Sequence, residues 1–188
     1  DENTITIPHQ PIRRDTWLYQ DDALRPLVEI FQGCRDESIE DDVHEGLSRG
    51  YHLGFIASSD HMSTSASYAG VWAEAANRES VFRALQNRRT FGATTKIELA
   101  VWANDRHWMG QILQTDSESV KLTLAAQAPA AIRAVHLIVD GHPEKTVTPR
   151  DTQSEFSIQV DPQGKRFAYF HLQLVDGNEA WSSPIWFQ

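Results

Sequence analysis

The spacing of apolar positions changes character near residue 96. Ahead of it, short apolar runs alternate with helical stripes. Residues 4–7 form a β-branched run that predicts a strand ending at Pro8 and His9, and residues 27–31 predict a second, closed by Gly33. Ile39, Val43 and Leu47 then recur every four residues, the stripe of a helix. Glu40, Asp41 and Asp42 in its first turn and Arg49 in its last suit the helix dipole, and Gly50 supplies the stop. Residues 53–57 predict a buried strand running into a polar loop at 58–65. Asn77 reads as the N-cap of a second helix with Glu79 in its first turn, Val81, Phe82 and Leu85 as its apolar face, and Arg88 and Arg89 at its close. This order predicts parallel α/β structure over residues 1–95.

Beyond residue 96 the period is two. Ile97, Leu99 and Val101 alternate with more polar neighbours, as do Val120, Leu122 and Leu124, then Val135, Leu137 and Val139. Phe156, Ile158 and Val160 follow the same rule, and so do Phe170, Leu172 and Leu174. Turn signals separate them at Asp140-Gly141, at Pro162 to Gly164 and at Asp176-Gly177-Asn178. Residues 96–188 therefore predict an antiparallel β-sandwich, and the fold class is α/β plus all-β.

Composition narrows the function classes. The chain has 188 residues, 40% of them hydrophobic and 23% charged, which is the profile of a folded globular chain rather than a disordered one. A net charge of −9 argues against binding nucleic acid by bulk charge, and no apolar run approaches the ~20 residues of a membrane helix. Cys34 is the single cysteine, so an internal disulfide and a cysteine-built zinc site are both excluded; it has no clear histidine or acid partner and reads as an inert thiol. The compartment stays open between periplasm and cytoplasm.

The candidate chemistry lies at predicted strand ends. Asp60 and His61 follow an apolar strand directly, at the carboxyl end where parallel α/β folds carry their sites, and both are metal-ligand types. The plainer reading makes Asp60 a loop cap and His61 a solvated side chain. His9 also follows a strand, and Glu29 lies inside an apolar one, where a carboxylate needs a partner. Arg89 is placed to fork a phosphate or carboxylate, or simply to close a helix. His44, His52, His107, His136, His142 and His171 show no ligand-like pairing.

Several of these segments resemble one family. Residues 49–64, whose strand ends in Ser58, Ser59, Asp60 and His61 ahead of Ser63 and Thr64, are similar to the fourth motif of a subgroup of the PHP (polymerase and histidinol phosphatase) superfamily. Pro8 and His9 resemble its Pro-His-His motif, and Val28, Glu29 and Ile30 its Val-Glu-Ile strand. Tyr68 to Gly70, the stretch 78–94 and the tail 176–186 are also similar, so the resemblance spans nearly the whole chain. It implies a metal-dependent hydrolase of phosphoesterase type on a distorted (β/α)7 barrel, with two or three divalent ions (zinc, manganese or iron). It implies His9, Asp60 and His61 as metal ligands, Glu29 and Arg89 on the substrate side, and a small-molecule ester or phosphoester as substrate.

Three departures shape that expectation. The superfamily's opening His-x-His pair has no counterpart here, Gln10 stands where the subgroup often has a second histidine, and His61 follows Asp60 without the usual intervening residue. Ser65 also stands where related loops often carry a histidine. Some 95 residues cannot close seven strand–helix units of about 30 residues each. The expectation is thus a C-terminal barrel portion (1–95) and a sandwich (96–188), with an N-terminal half or second chain completing the barrel; the start at Asp1 instead of methionine fits this. The alternative, from another class, is a non-catalytic β-sandwich binding or interaction module on an α/β scaffold, with Trp181, Trp186 and Phe187 as its working end.

Overall fold

A computed structural model describes residues 4–8, 17–33, 37–60, 65–114 and 119–188. The first half contains β1 (Leu27–Gln32), β2 (Glu37–Ser38), α1 (Glu40–Ser48), β3 (Gly54–Ser58), β4 (Tyr68–Val71), α2 (Arg78–Gln86) and β5 (Thr90–Ala93). The second contains β6 (Glu98–Ala103), β7 (His107–Trp108), β8 (Ile112–Leu113), β9 (Val120–Gln127), β10 (Ile132–Val139) and β11 (His142–Val147). It ends with β12 (Gln153–Val160), β13 (Phe167–Leu174), β14 (Glu179–Ser182) and β15 (Ile185–Phe187). The protein is mostly β, and its large sheets are antiparallel and packed as a sandwich.

The alternation of the second half becomes that sandwich directly. Leu99, Val101 and Ala103 of β6, Leu122 and Leu124 of β9, Val135 and Leu137 of β10, and Phe170 and Leu172 of β13 share one core. One wall is the four-stranded sheet β12-β9-β6-β7; the other is the central sheet, ordered β11-β10-β13-β14-β5-β4, with β15 on β13. The β10–β11 hairpin turns through Asp140 (φ 48°) and Gly141 (φ 84°), the two positive φ values of a tight primed turn.

The middle strands of the central sheet, β13, β14 and β5, are largely buried on both faces. Phe167, Tyr169, Trp181 and Trp186 leave the sandwich core and pack against Val28, Ile30, Val43, Leu47 and Phe55, which come from β1, α1 and β3. These elements form a third layer in which β1 pairs parallel with β3 and antiparallel with β2. The layers touch closely at Gly92, where a Cβ would sit 2.9 Å from the Ile56 carbonyl carbon and 3.0 Å from the Ala57 nitrogen.

Several expectations change. Residues 4–8 are not a strand: Thr6 is tied to the Leu24 carbonyl (2.7 Å) and the Pro8 carbonyl accepts one bond from Glu29 N (3.4 Å), too few for a ladder. The first half is not uniformly parallel. β4 and β5, with α2 between them, pair antiparallel, and β5 continues through β14 into the central sheet. Residues 68–93 thus contribute strands to the sandwich itself. The N-cap at Asn77 forms as read, accepting from Ser80 N, yet in α2 only Ala84 is buried and Val81 is 36% exposed. Trp181, Trp186 and Phe187 are buried between layers, so they are not a free aromatic end.

Candidate functional site

The parallel register of β1 and β3 sets the geometry. Gln32 lies opposite Ser58, and Gly33 N donates to the Ser58 carbonyl at 2.8 Å, so both strands end together. Glu29 is 2% exposed, and the Ser58 hydroxyl donates to its carboxylate. That bond lets a carboxylate sit in an apolar strand without the full cost of burial. On the other side of β1, Glu29 N meets the Pro8 carbonyl.

Asp60 lies two residues past Ser58, half-buried and in the left-handed region (φ 57°), a conformation that aspartate tolerates better than most residues. Ser59 fixes the return of the loop: its hydroxyl accepts from Ser67 N and donates to the Ser67 carbonyl, both at 3.0 Å. Beside these strand ends a cleft of about 370 Å³ is lined by Phe31, Ser38, Ala66, Thr94, Asn178 and Glu179. Asp60 therefore lies just past the shared end of β1 and β3, while Glu29 sits mid-strand in β1, opposite Ile56. His9 and His61 lie outside the described residues, as does Cys34. Arg89 is not brought there. It stands at the opposite end of β5, with its Nη1 3.9 Å from Glu74, because β4 and β5 run antiparallel and only Ala93, the far end of β5, faces Tyr68.

A second polar cluster joins α1 to the central sheet, and the sequence reading did not foresee it. Glu40, the first residue of α1, accepts from the Tyr169 hydroxyl and from Trp181 Nε1 (3.2 Å). His44 Nε2 lies 2.6 Å from the same Tyr169 oxygen. Since that hydroxyl proton goes to Glu40, His44 must donate, so its Nε2 carries a proton in this arrangement. His171 stacks on Trp181 (4.8 Å) between two carboxylates: Glu179 at 2.8 Å from Nε2 and Glu40 at 3.5 Å from Nδ1.

The electrostatics follow from burial and partners. Burial pushes the Tyr169 hydroxyl well above its ordinary value, reinforced by the Glu40 charge and hydrogen bond. It pushes His44 down, which Glu40 and Asp41 partly oppose. Burial alone would raise Glu179, but its hydrogen bond to His171 and the charge of His171, with Gln173 and Arg133, hold it below the ordinary carboxylate value. One signal in the sequence marks this cluster: the run Phe167 to Phe170 is apolar at every position, the sign of a strand covered on both faces.

Among the described residues, no group of three or more His, Cys, Asp or Glu is placed to hold a metal, and no helix is long and apolar enough to cross a membrane. Residues 29–129, more than half of the chain, match the family described as protein of unknown function (DUF3604), and the chain belongs to that family. No curated protein and no solved structure matches it.

Proposed function

We propose that the chain is part of a PHP-type, metal-dependent hydrolase of phosphoester or related ester bonds, its site at the carboxyl ends of β1 and β3. The observation that carries this reading is the parallel pairing by which β1 and β3 end together at Gln32 and Ser58, two residues before Asp60 and near a cleft of about 370 Å³ that Phe31 and Ser38 help to line. In this reading the third layer is the C-terminal portion of a distorted (β/α)7 barrel, a reading that the parallel β1–β3 pair with Pro8 alongside supports.

The donor set fits a divalent ion in kind. Asp60 offers carboxylate oxygen, and His9 and His61 offer imidazole nitrogen, a mixture suited to zinc, manganese or iron. A divalent ion held there would supply a metal-activated water and neutralise charge on the group transferred. Ser58 holds the Glu29 carboxylate, and the Ser59–Ser67 bonds keep Asp60 on a fixed loop stem. Two or three ions need more ligands than these, so the reading includes a further segment or second chain that completes the site. Arg89, ion-paired at the other end of β5, is left out of the substrate role.

The test is elemental analysis and phosphoesterase assay of the protein with its natural flanking sequence. Two or more equivalents of zinc, manganese or iron are expected, with the Asp60→Ala, His61→Ala double variant losing metal and at least about 100-fold in rate. A metal-free native protein, or full activity in the double variant, overturns the reading.

A further inference from the structure

The four-stranded sheet turns an unusual outer face to solvent. Side chains at alternate positions of β6, β9 and β12 leave the core, and register sets them in rows: Glu98, Gln127 and Gln153, then Ala100, Ala125 and Glu155. The next row is Trp102, Thr123 and Ser157, and Trp108 of β7 lies opposite Trp102. Trp72 joins them from the end of β4, its Nε1 donating to the Leu99 carbonyl at 2.8 Å. The three half-buried indoles form a continuous wall: Trp72 to Trp108 is 5.7 Å between ring centroids, and Trp102 to Trp108 is 6.1 Å. At the Trp72 end of the wall lies a cleft of about 400 Å³, walled by Trp72, floored by Ala100 and Ala125 and rimmed by Glu98, Gln127, Gln153 and Glu155.

We infer that this cleft binds a neutral saccharide chain. An indole face carries negative quadrupole charge and attracts the polarised C–H face of a pyranose ring, while staying dry against its apolar side. The rim then meets the hydroxyls. Carboxylates accept from them and amides both donate and accept, and the Gln153-to-Gln127 hydrogen bond (3.2 Å) pre-sets one such pair. Among the described residues, Glu98 and Glu155 have no ion-pair partner, so their oxygens are available to a ligand.

Charge and shape decide against the competing ligands. No lysine or arginine lines the cleft, so phosphates, nucleic acids and acidic glycans would meet only repulsion. A quaternary ammonium ion needs rings facing one another across a gap; here the rings touch one another at tilts of 42° and 48° and leave no cage. The two alanines keep the floor low across two strands, which leaves room for a ring laid flat. The volume falls within the ordinary range of ligand clefts. This site is independent of the hydrolase reading, because it shares no lining residue with the strand ends at Ser58 and Asp60 or the cleft beside them.

The test is affinity gel electrophoresis and tryptophan fluorescence titration of the 188-residue chain. The probes are soluble mixed-linkage β-glucan, xylan and galactomannan, with polygalacturonate, chitosan oligomers and tetramethylammonium as charged comparators. At least one neutral polysaccharide should retard the protein and shift its emission. Trp72→Ala and Glu155→Ala should each weaken that binding about tenfold. Ala125→Arg, which fills the floor from the solvent side, should abolish it with thermal melting unchanged. Absence of binding to all three neutral polysaccharides overturns the inference. So does binding that survives Ala125→Arg, or a response to the charged comparators alone.

Discussion

Glu40 shows how much a single side chain joins in this protein. As the first residue of α1 its charge suits the helix N-terminus, and its two oxygens hold Tyr169 and Trp181 of the central sheet. The protonation of its neighbours makes stability depend on pH at both ends. His44 and Glu179 are both held below their ordinary values of 6.5 and 4.5, so the folded protein binds fewer protons than the unfolded chain. Their contributions are complete above those values and are lost as pH falls through the lower, folded ones. Melting temperature is expected to fall below about pH 6, and His44→Gln should flatten the upper part of that fall. Tyr169 is held above its ordinary value of 10.0, so its contribution is complete below pH 10 and is lost at higher pH. Tyr169→Phe should flatten the alkaline limb of the same melting curve; an unchanged limb would show that Tyr169 does not cause it.

Between elements, two small residues set how the third layer meets the central sheet. The Ser183 hydroxyl is fully buried; it accepts from Phe55 N of β3 at 2.8 Å and donates to the Thr90 carbonyl at 2.6 Å. Ser183→Ala leaves a buried N–H unpaired and is expected to cost about 1–3 kcal/mol in denaturant unfolding. Ser183→Thr keeps the hydroxyl and should recover part of that. At Gly92 a side chain would press on backbone rather than on a flexible tip. Gly92→Val should therefore cost more than Ser183→Ala, measured as a lower denaturation midpoint. The helices differ in the same terms. α1 buries Val43 and Leu47 against the sheet, so its stripe read true, whereas the stripe of α2 predicts a covered face and only Ala84 is covered.

For the molecule as a whole, the central sheet is the organising layer. It takes β4 and β5 from the first half of the chain and β10, β11, β13 and β14 from the second, and its middle strands are covered on both sides. A chain of residues 96–188 alone would lose two strands of that sheet and bare Tyr169, Trp181 and Trp186. It is expected to bind a hydrophobic dye and aggregate, where the 188-residue chain melts cooperatively; a stable, dye-silent 96–188 fragment would show that the sandwich closes by itself.

The sequence by itself determined what repeats locally. The two-residue alternation of β6, β9, β10, β12 and β13, the stripe and acidic first turn of α1, and the cap at Asn77 are each written within a few neighbouring residues, whereas Arg49, read into the last turn of α1, caps it instead. One buried face or one side-chain bond suffices to specify them. Asp60 and Glu29 were legible as candidates, because a carboxylate inside an apolar strand and an Asp-His pair after one stand out without any knowledge of contacts. Their surroundings were not: the Ser58 bond to Glu29 depends on the parallel register, and the place of Arg89 beside Glu74 on the direction of β5. The tertiary structure alone decided the three-layer arrangement, the Glu40–His171–Glu179 cluster and the wall of Trp72, Trp102 and Trp108. These partners lie far apart in the chain, and strand pairing, not local propensity, fixes which distant residues share a face.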